Sequence, residues 1–326
     1  MATAYSRSII VTGGNTGLGF QCARFIGADP DILVVIGCRD TRAGNEAKAK
    51  LQLLGVTAAV LQLDLASLDS VRAFVTCFRE GGFPPLSGLV CNAGSQNVGP
   101  PQRAAGGLEM TFAVNHLGHF LLANLLLPDM ARDGRITFVT SSTHDPAAKT
   151  GMPAPKFENA NAVAHDFQPG SDAGKRRYTT SKLCNLYCAY ELTRRLEDSA
   201  DSRLRSIRVN AFDPGLMPGT GLARTYPAPL RLVWNYILPA LTLFYPNVHS
   251  VATSGRRLAE LASVIDTATG HYVSDGRAIK SSALSYYTEK ARDLWETSAA
   301  MAAIDSVPAG RSGGIGSFPD AVVLTA

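Results

Sequence analysis

The sequence predicts an α/β fold: a doubly wound parallel sheet with helices on both faces. Three observations carry that reading. Short β-branched runs alternate with longer helix-like stretches along most of the chain. The runs are continuously apolar rather than alternating, as strands buried on both faces are. A glycine-rich turn falls where the first run gives way to the first helical stretch, the order a nucleotide-binding sheet requires.

In chain order, strands are expected at 9–12, 32–37, 58–63, 88–91, 135–140 and 206–212, with one more near 271–273 closing the sheet. Helices are expected at 18–28, 41–54, 68–80, 108–130 and 178–196. Two stretches break the alternation. Residues 142–177 hold Pro146, Gly151, Pro153, Pro155, Gly170 and Gly174 and read as a long loop over the sheet. Residues 222–248 are rich in aromatics and prolines, and no Lys, Arg, Asp or Glu occurs from 232 to 254. That length could reach across a bilayer, but Pro239, Pro246, Asn235, Asn247 and His249 oppose a lipid-facing span. A broken helical lid over a pocket is the expectation, against a dimer contact or a shallow membrane-surface anchor. The chain therefore reads as a single domain over 1–306 with a lid insertion at about 222–248, and 307–326 as a loose tail.

The composition limits the function. Of 326 residues, 46% are hydrophobic and 18% charged, enough apolar material for a large core and too little charge for a disordered scaffold. Lys and Arg exceed Asp and Glu by 31 to 27, a formal +4 too mild and dispersed for a nucleic-acid surface. The six cysteines, at 22, 38, 77, 91, 184 and 188, form no CxxC pair and no Cys/His metal spacing. They read as reduced thiols, and no metal is expected. Only Met1 to Arg7 precede the first apolar run, which leaves no room for a signal peptide, so a cytosolic location is expected.

The turn Thr12-Gly13-Gly14-Asn15-Thr16-Gly17-Leu18-Gly19 lets a backbone approach a pyrophosphate while helix-end N–H groups meet its charge. Gly13, Asn15, Thr16, Gly17, Leu18 and Gly19 are the candidate contacts, and the sheet they start is Rossmann-type. After the second strand stands Arg39, where a carboxylate would favour a free ribose 2′-hydroxyl. A guanidinium there suits a 2′-phosphate, so NADP(H) is the expected cofactor. Asp64, beside Leu65, is placed to take the adenine amino group, to cap the next helix, or both. Asn92-Ala93-Gly94 supplies small residues where a backbone must pass a ribose.

Tyr178-Thr179-Thr180-Ser181-Lys182 puts a phenol and an ammonium one helical turn apart on one face. An adjacent ammonium stabilises phenolate and makes tyrosine a usable acid/base near neutral pH. Ser142, at the end of the fifth strand, opens on the same crevice and can bond the oxygen that Tyr178 protonates. Asn115 is a polar residue in an apolar helix, either bonding backbone at a kink or holding a water that relays protons to Lys182.

In their order, TGGNTGLG, CRD, Asp64-Leu65, CNAG, VNHLGHF, Ser142, YTTSK and Asp213-Pro214-Gly215 resemble the short-chain dehydrogenase/reductase family over about residues 8–300. The resemblance implies a catalytic tetrad of Asn115, Ser142, Tyr178 and Lys182, with Tyr178 and Lys182 also touching the cofactor. It implies that Pro214, Gly215 and Thr220 hold the nicotinamide carboxamide. Within the family the chain is most similar to the branch of retinol dehydrogenases and light-dependent protochlorophyllide reductases. LVCNA at 89–93, NHLGHFLL at 115–122 and SKLCN at 181–185 carry that likeness. Cys184 matches a reductase cysteine implicated in the pigment site. Ser142 departs from those reductases, which carry Thr there, and Gly94-Ser95-Gln96-Asn97-Val98 lacks their aromatic and acidic pattern.

The leading expectation is thus an NADP(H)-dependent carbonyl reductase or alcohol dehydrogenase for a bulky apolar substrate. His144, Cys184, Leu216 and Trp234 are its candidate pocket residues. The alternatives are light-dependent C=C reduction of a tetrapyrrole and a nucleotide-binding regulator without turnover. The resemblance leaves a homodimer, through the helices at 108–130 and 178–196, and a monomer both open.

Overall fold

The computed structural model describes residues 5–217, 249–264 and 268–305. The chain runs β1 (Arg7–Thr12), α1 (Gly17–Ile26), β2 (Ile32–Cys38), α2 (Thr41–Gln52), β3 (Ala58–Gln62), α3 (Leu68–Glu80) and β4 (Leu86–Cys91). Next come α4 (Met110–Phe112), a π-helical turn (Ala113–Leu117), α5 (Gly118–Leu126) and β5 (Met130–Val139). The rest follows as α6 (Ala160–Ala164), α7 (Ser171–Glu197), α8 (Ser202–Ser206), β6 (Arg208–Asp213), α9 (Val251–Ser263), β7 (Tyr272–Ser274), β8 (Arg277–Ile279) and α10 (Thr288–Ala302).

The strands form one sheet in the order β3-β2-β1-β4-β5-β6-β7-β8. Every pairing is parallel except β7 with β8. Strand alternation explains the layers, since successive side chains point to opposite faces. Ile9, Val11, Val34 and Ile36 pack with Leu18, Ile26 and Leu258 on the α1/α9 side. Ile10, Val35 and Leu89 pack with Phe74, Phe120, Leu186 and Trp295 on the other side, under α3, α5, α7 and α10. Two cores thus flank a sheet whose strand order reverses at β1/β4, where the crevice of a doubly wound fold opens.

Several boundaries differ from the sequence expectations. The helix expected over 108–130 is three pieces joined through the π turn, and Pro128 sits in a tight 3₁₀ turn, Leu127–Asp129, that ends it. A hypothetical Cβ on Gly118 would lie 2.5 Å from the carbonyl oxygen of Leu65, so the helix passes against that loop without room for a side chain. β5 begins at Met130, earlier than expected, with a register shift opposite Leu86 and Gly88. The loop expected over 142–177 holds two 3₁₀ turns and α6, and α7 already starts at Ser171. β7 does not close the sheet. The turn Asp275-Gly276, both at positive φ, returns the chain as β8, which takes the edge.

Met110–Asp129 is apolar enough to cross a membrane by length and composition, yet 78% of its apolar window is buried inside the protein, as a core helix. All six cysteines are free, and all but Cys77 are buried. The lid expected at 222–248, with Trp234, and the tail expected at 307–326 lie outside the described residues, as does Thr220.

Candidate active site

The nucleotide end is built from β1, its turn and α1. Gly13 and Gly17 take φ of +65° and +56°, which favours glycine at both positions. Thr16 is extended and opens α1 without a side-chain cap, and no acidic residue sits in the first turn. The N–H groups of that turn therefore face outward with the positive end of the helix dipole, and Asn15 and Leu18 flank them. At Gly19 a Cβ would come 2.5 Å from both Asn92 Nδ2 and the Gly13 carbonyl oxygen, so only glycine lets the turn close on the loop after β4. Asn92 Nδ2 donates to the Thr12 carbonyl at 2.7 Å, and the N–H groups of Asn92 and Ala93 donate to Thr12 Oγ1, each at 2.9 Å.

Arg39 and Asp40 separate in role. Asp40 caps α2, its Oδ1 accepting from the N–H groups of Arg42 and Ala43 at 2.9 and 3.2 Å. Arg39 is exposed and has no ion pair with another described residue. The cap on α3, one of the roles expected of Asp64, belongs instead to Ser67, whose side chain accepts from Ser70 N–H. Asp64 Oδ1 accepts from Ala66 N–H at 3.0 Å, a local turn beside the buried Leu65.

At the reacting end α7 is fastened to the end of β5. The Val139 carbonyl accepts from Lys182 Nζ at 3.1 Å and Asn185 Nδ2 at 3.0 Å, while Thr140 Oγ1 donates to the Lys182 carbonyl at 2.8 Å. Lys182 Nζ lies 5.5 Å from the centre of the Tyr178 ring, and both side chains are buried. Burial pushes the Lys182 ammonium down to about 8, and the Asp213 carboxylate opposes the shift. Asp213 is held by Tyr272 Oη, Ser274 Oγ and Gly215 N–H at 3.0, 3.1 and 3.1 Å. Gly215 is at φ +72°, and Ser254 Oγ of α9 donates to the Pro214 carbonyl at 2.7 Å.

Asn115 sits in the π turn and uses its amide twice on Ser95. Its Oδ1 accepts from Ser95 N–H at 2.7 Å, and its Nδ2 donates to the Ser95 carbonyl at 3.0 Å and to Ser181 Oγ at 2.9 Å. The backbone bonding weighed for Asn115 is thus directed at the loop after β4. A Cβ on Gly94 would lie 3.4 Å from Asn115 Oδ1 and 3.7 Å from Lys182 Nζ, so three of the expected residues converge. Ser141 Oγ accepts from Thr143 N–H, while Ser142 beside it is half-buried.

The expected pocket residues fare differently. Cys184 is fully buried in the core, its thiol pushed up by burial. His144 is locked on both nitrogens: Nδ1 donates to the Ser141 carbonyl at 2.6 Å and Nε2 accepts from Ser282 N–H at 3.1 Å. Both ring nitrogens of His144 are thus engaged within the protein. Leu216 remains exposed, at 43%. A cavity of about 510 Å³ lined by Phe112, Val163, Phe167, Arg176 and Thr180 lies on the other face of α7, and none of Asn115, Ser142, Tyr178 and Lys182, the expected tetrad, lines it. Thr12, Ser95 and Ser181 join the site through these bonds; each stands inside a quoted motif, but none was named there as a candidate site residue.

Residues 7–152 match the family model for short chain dehydrogenase. A protochlorophyllide reductase A, chloroplastic, of Oryza sativa subsp. japonica is 33% identical over 317 residues, covering 89% of this chain and 79% of that one. The short-chain dehydrogenase TIC 32 B, chloroplastic, of Brassica napus is 33% identical over 309 residues, covering 92% and 89%. Among solved structures, an uncharacterized protein from Mycobacterium paratuberculosis superposes with a TM-score of 0.68 at 26% identity, covering 94% and 96%. The angucycline C-6 ketoreductase LanV with bound NADP gives 0.60 at 22% identity, covering 83% and 94%, a likeness of fold. The fold and site define a nucleotide-dependent oxidoreductase architecture. The chain belongs to the short-chain dehydrogenase family.

Proposed function

We propose that this chain is an NADP(H)-dependent reductase that transfers hydride to the carbonyl carbon of a bulky apolar substrate, with Tyr178 as the acid. The observation that carries the reading is the convergence of Gly94, Asn115 and Lys182, with Tyr178 one helical turn from Lys182. The residues present fit the dinucleotide. The N-terminus of α1, without a side-chain cap, offers N–H groups to the pyrophosphate, and Arg39, with no ion pair to another described residue, offers its guanidinium to a 2′-phosphate. Asp64 and Leu65 serve the adenine, Asn92 to Gly94 and Lys182 the ribose, and Pro214 and Gly215 the carboxamide. The cofactor, when bound, supplies the hydride.

Tyr178 Oη gives its proton to the substrate oxygen as that oxygen gains charge, and the product is an alcohol. The Ser142 hydroxyl donates to the same oxygen and fixes its direction. Lys182, as an ammonium, stabilises the phenolate that Tyr178 leaves behind. Asn115 supports the route by which the proton on Tyr178 Oη is replaced, and its hold on Ser95 keeps the adjacent loop in place. The reverse reaction uses the same groups in the opposite sense.

A second reading, reduction of a C=C bond in a tetrapyrrole under light, is supported by the 33% identity to a protochlorophyllide reductase. NADPH consumption with a panel of bulky ketones in the dark, and with a protochlorophyllide under illumination, separates the two. Under the leading reading Tyr178→Phe lowers kcat by ~10²-fold or more and leaves NADPH affinity within a few-fold. Wild-type turnover in the Phe variant moves the acid elsewhere.

A further inference from the structure

The buried imidazole of His119 takes no part in the chemistry above, yet it lies where the two ends of the site meet. His119 is fully buried on α5, one helical turn after Asn115. Its Nδ1 is 3.2 Å from the main-chain carbonyl of Asn115, and its Nε2 is 2.9 Å from Thr12 Oγ1. A carbonyl can only accept, so Nδ1 carries the proton and Nε2 of the neutral ring accepts from the Thr12 hydroxyl. The Val90 carbonyl is also within reach of that hydroxyl, at 3.2 Å, but the ring is the nearer acceptor.

The neutral ring is the form this geometry accepts. Thr12 Oγ1 already takes two donors, the N–H groups of Asn92 and Ala93. A proton on Nε2 would set a third donor against that oxygen. Burial agrees, pushing the His119 ring down to about 4, with the nearby Lys182 charge in the same direction. One imidazole therefore joins the π turn that carries Asn115 to the last residue of β1, whose hydroxyl in turn holds the loop after β4. His116, on the same helical run, does something else. Its Nε2 pairs with Ser298 Oγ of α10, away from the nucleotide turn.

We propose that His119 is a positioning residue which, through the Asn115 carbonyl and the Thr12 hydroxyl, holds the π turn of the tetrad in register with the nucleotide turn. The proposal deepens the functional reading above and rests on it for the role of Asn115. The molecule itself supplies a partial mimic. In the next turn of α5, Asn124 Nδ2 donates to the Phe120 carbonyl at 2.9 Å, four residues back. Asparagine at 119 can therefore keep the bond to the Asn115 carbonyl while losing the one to Thr12.

The test uses a reporter that does not need turnover. Ser95 N–H donates to Asn115 Oδ1, so its exchange with solvent follows where the Asn115 amide stands. In the full chain with NADPH, His119→Phe is expected to speed Ser95 exchange at least tenfold, with exchange at Ile10 and Leu89 unchanged. It should lower kcat at least tenfold while the NADPH Kd stays within threefold, since small misplacements of a reacting group cost large factors in rate. His119→Asn should fall between the wild type and the Phe variant, and Thr12→Val should move Ser95 exchange in the same direction. Should the Phe variant fail to fold, nitrogen-15 spectra of the wild-type ring decide: the Nδ1–H tautomer supports the proposal, and the Nε2–H tautomer overturns it. Unchanged Ser95 exchange in both His119→Asn and Thr12→Val also overturns it. A wild type that reduces no substrate would sink the functional reading alone, because the exchange and tautomer readouts would still stand.

Discussion

Lys182 Nζ donates to the Val139 carbonyl at 3.1 Å, which holds the ammonium of a residue only 4% exposed at the end of β5. The carbonyl dipole is weak compensation for lost hydration, so burial lowers the ammonium from its ordinary 10.5 to about 8. Above that pH the folded chain has lost the proton that the unfolded chain still binds, and stability therefore rises with pH between about 8 and 10.5. Nucleotide binding should move the other way. A cofactor that needs the ammonium must restore its proton, so the NADPH Kd is expected to rise above pH 8, by up to about tenfold per unit. Calorimetric titration in two buffers of different ionisation enthalpy should show proton uptake at pH 9 and none at pH 7. Equal proton uptake in a Lys182→Met variant would place the titration on another group.

Acid should weaken the fold through the histidines of the π turn and α5. Burial pushes His116 down to about 3 and His119 to about 4, while the unfolded chain titrates near 6.5. Between those values the unfolded state binds more protons, so stability is present above 6.5 and is lost as pH falls. Each ring contributes a slope of up to about 1.4 kcal/mol per pH unit. Urea midpoints measured at pH 7, 6 and 5 are expected to fall steeply, and His116→Gln should remove about half of the slope. A flat profile in the wild type would mean that these rings open to water before they charge.

Arg39 should set the choice of nucleotide. Asp40 is occupied as the cap of α2, which leaves Arg39 as the charge of that loop available to a ligand. Arg39→Ala is expected to weaken NADPH binding by ~1.5–3 kcal/mol, the range of a charge-assisted hydrogen bond, and to leave NADH nearly unchanged. Equal losses for both nucleotides in fluorescence titrations would exclude a 2′-phosphate contact.

The strands were legible because apolar runs such as Ile9-Ile10-Val11 can only serve a sheet with a core on each face, and both cores are there. The glycine-rich turn and the Tyr178/Lys182 pair were legible because their spacing is local. What escaped the sequence depends on contacts far along the chain. His144 stood among the candidate pocket residues, and nothing local announced that its acceptor nitrogen takes the N–H of Ser282, 138 residues away. The sequence offered a kink at Asn115 as one of two roles, but not its partners: the break in the 108–130 helix falls where Leu65 approaches Gly118 and Asn115 grips Ser95. The β7–β8 hairpin is a different case. Asp275-Gly276 is a strong two-residue turn signal in the sequence, and the expectation near 271–273 stopped just short of it.

Gly118 offers the sharpest test of how the helix break serves the site. Its backbone is helical, with φ −62° and ψ −40°, so alanine there should stabilise the helix by up to about 1 kcal/mol on propensity alone. Packing opposes that gain. A Cβ would lie 2.5 Å from the Leu65 carbonyl oxygen, 2.9 Å from its Cβ and 3.0 Å from its Cα, and backbone cannot rotate away as a side chain can. Overpacking of this kind costs roughly 1–3 kcal/mol, enough to outweigh propensity. Gly44 in α2 is the comparison, because a Cβ there meets Cys38 Sγ and Val60 Cγ1, side-chain atoms that can adjust. Gly118→Ala is therefore expected to destabilise the chain more than Gly44→Ala. It should also weaken NADPH binding, since the loop that must yield carries Asp64 and Leu65, which we propose serve the adenine. Leu65→Ala in the Gly118→Ala background should restore neither, because the obstructing oxygen belongs to the main chain. Recovery of stability and affinity in that double variant would show that the Leu65 side chain, and not the backbone beside Gly118, sets the approach.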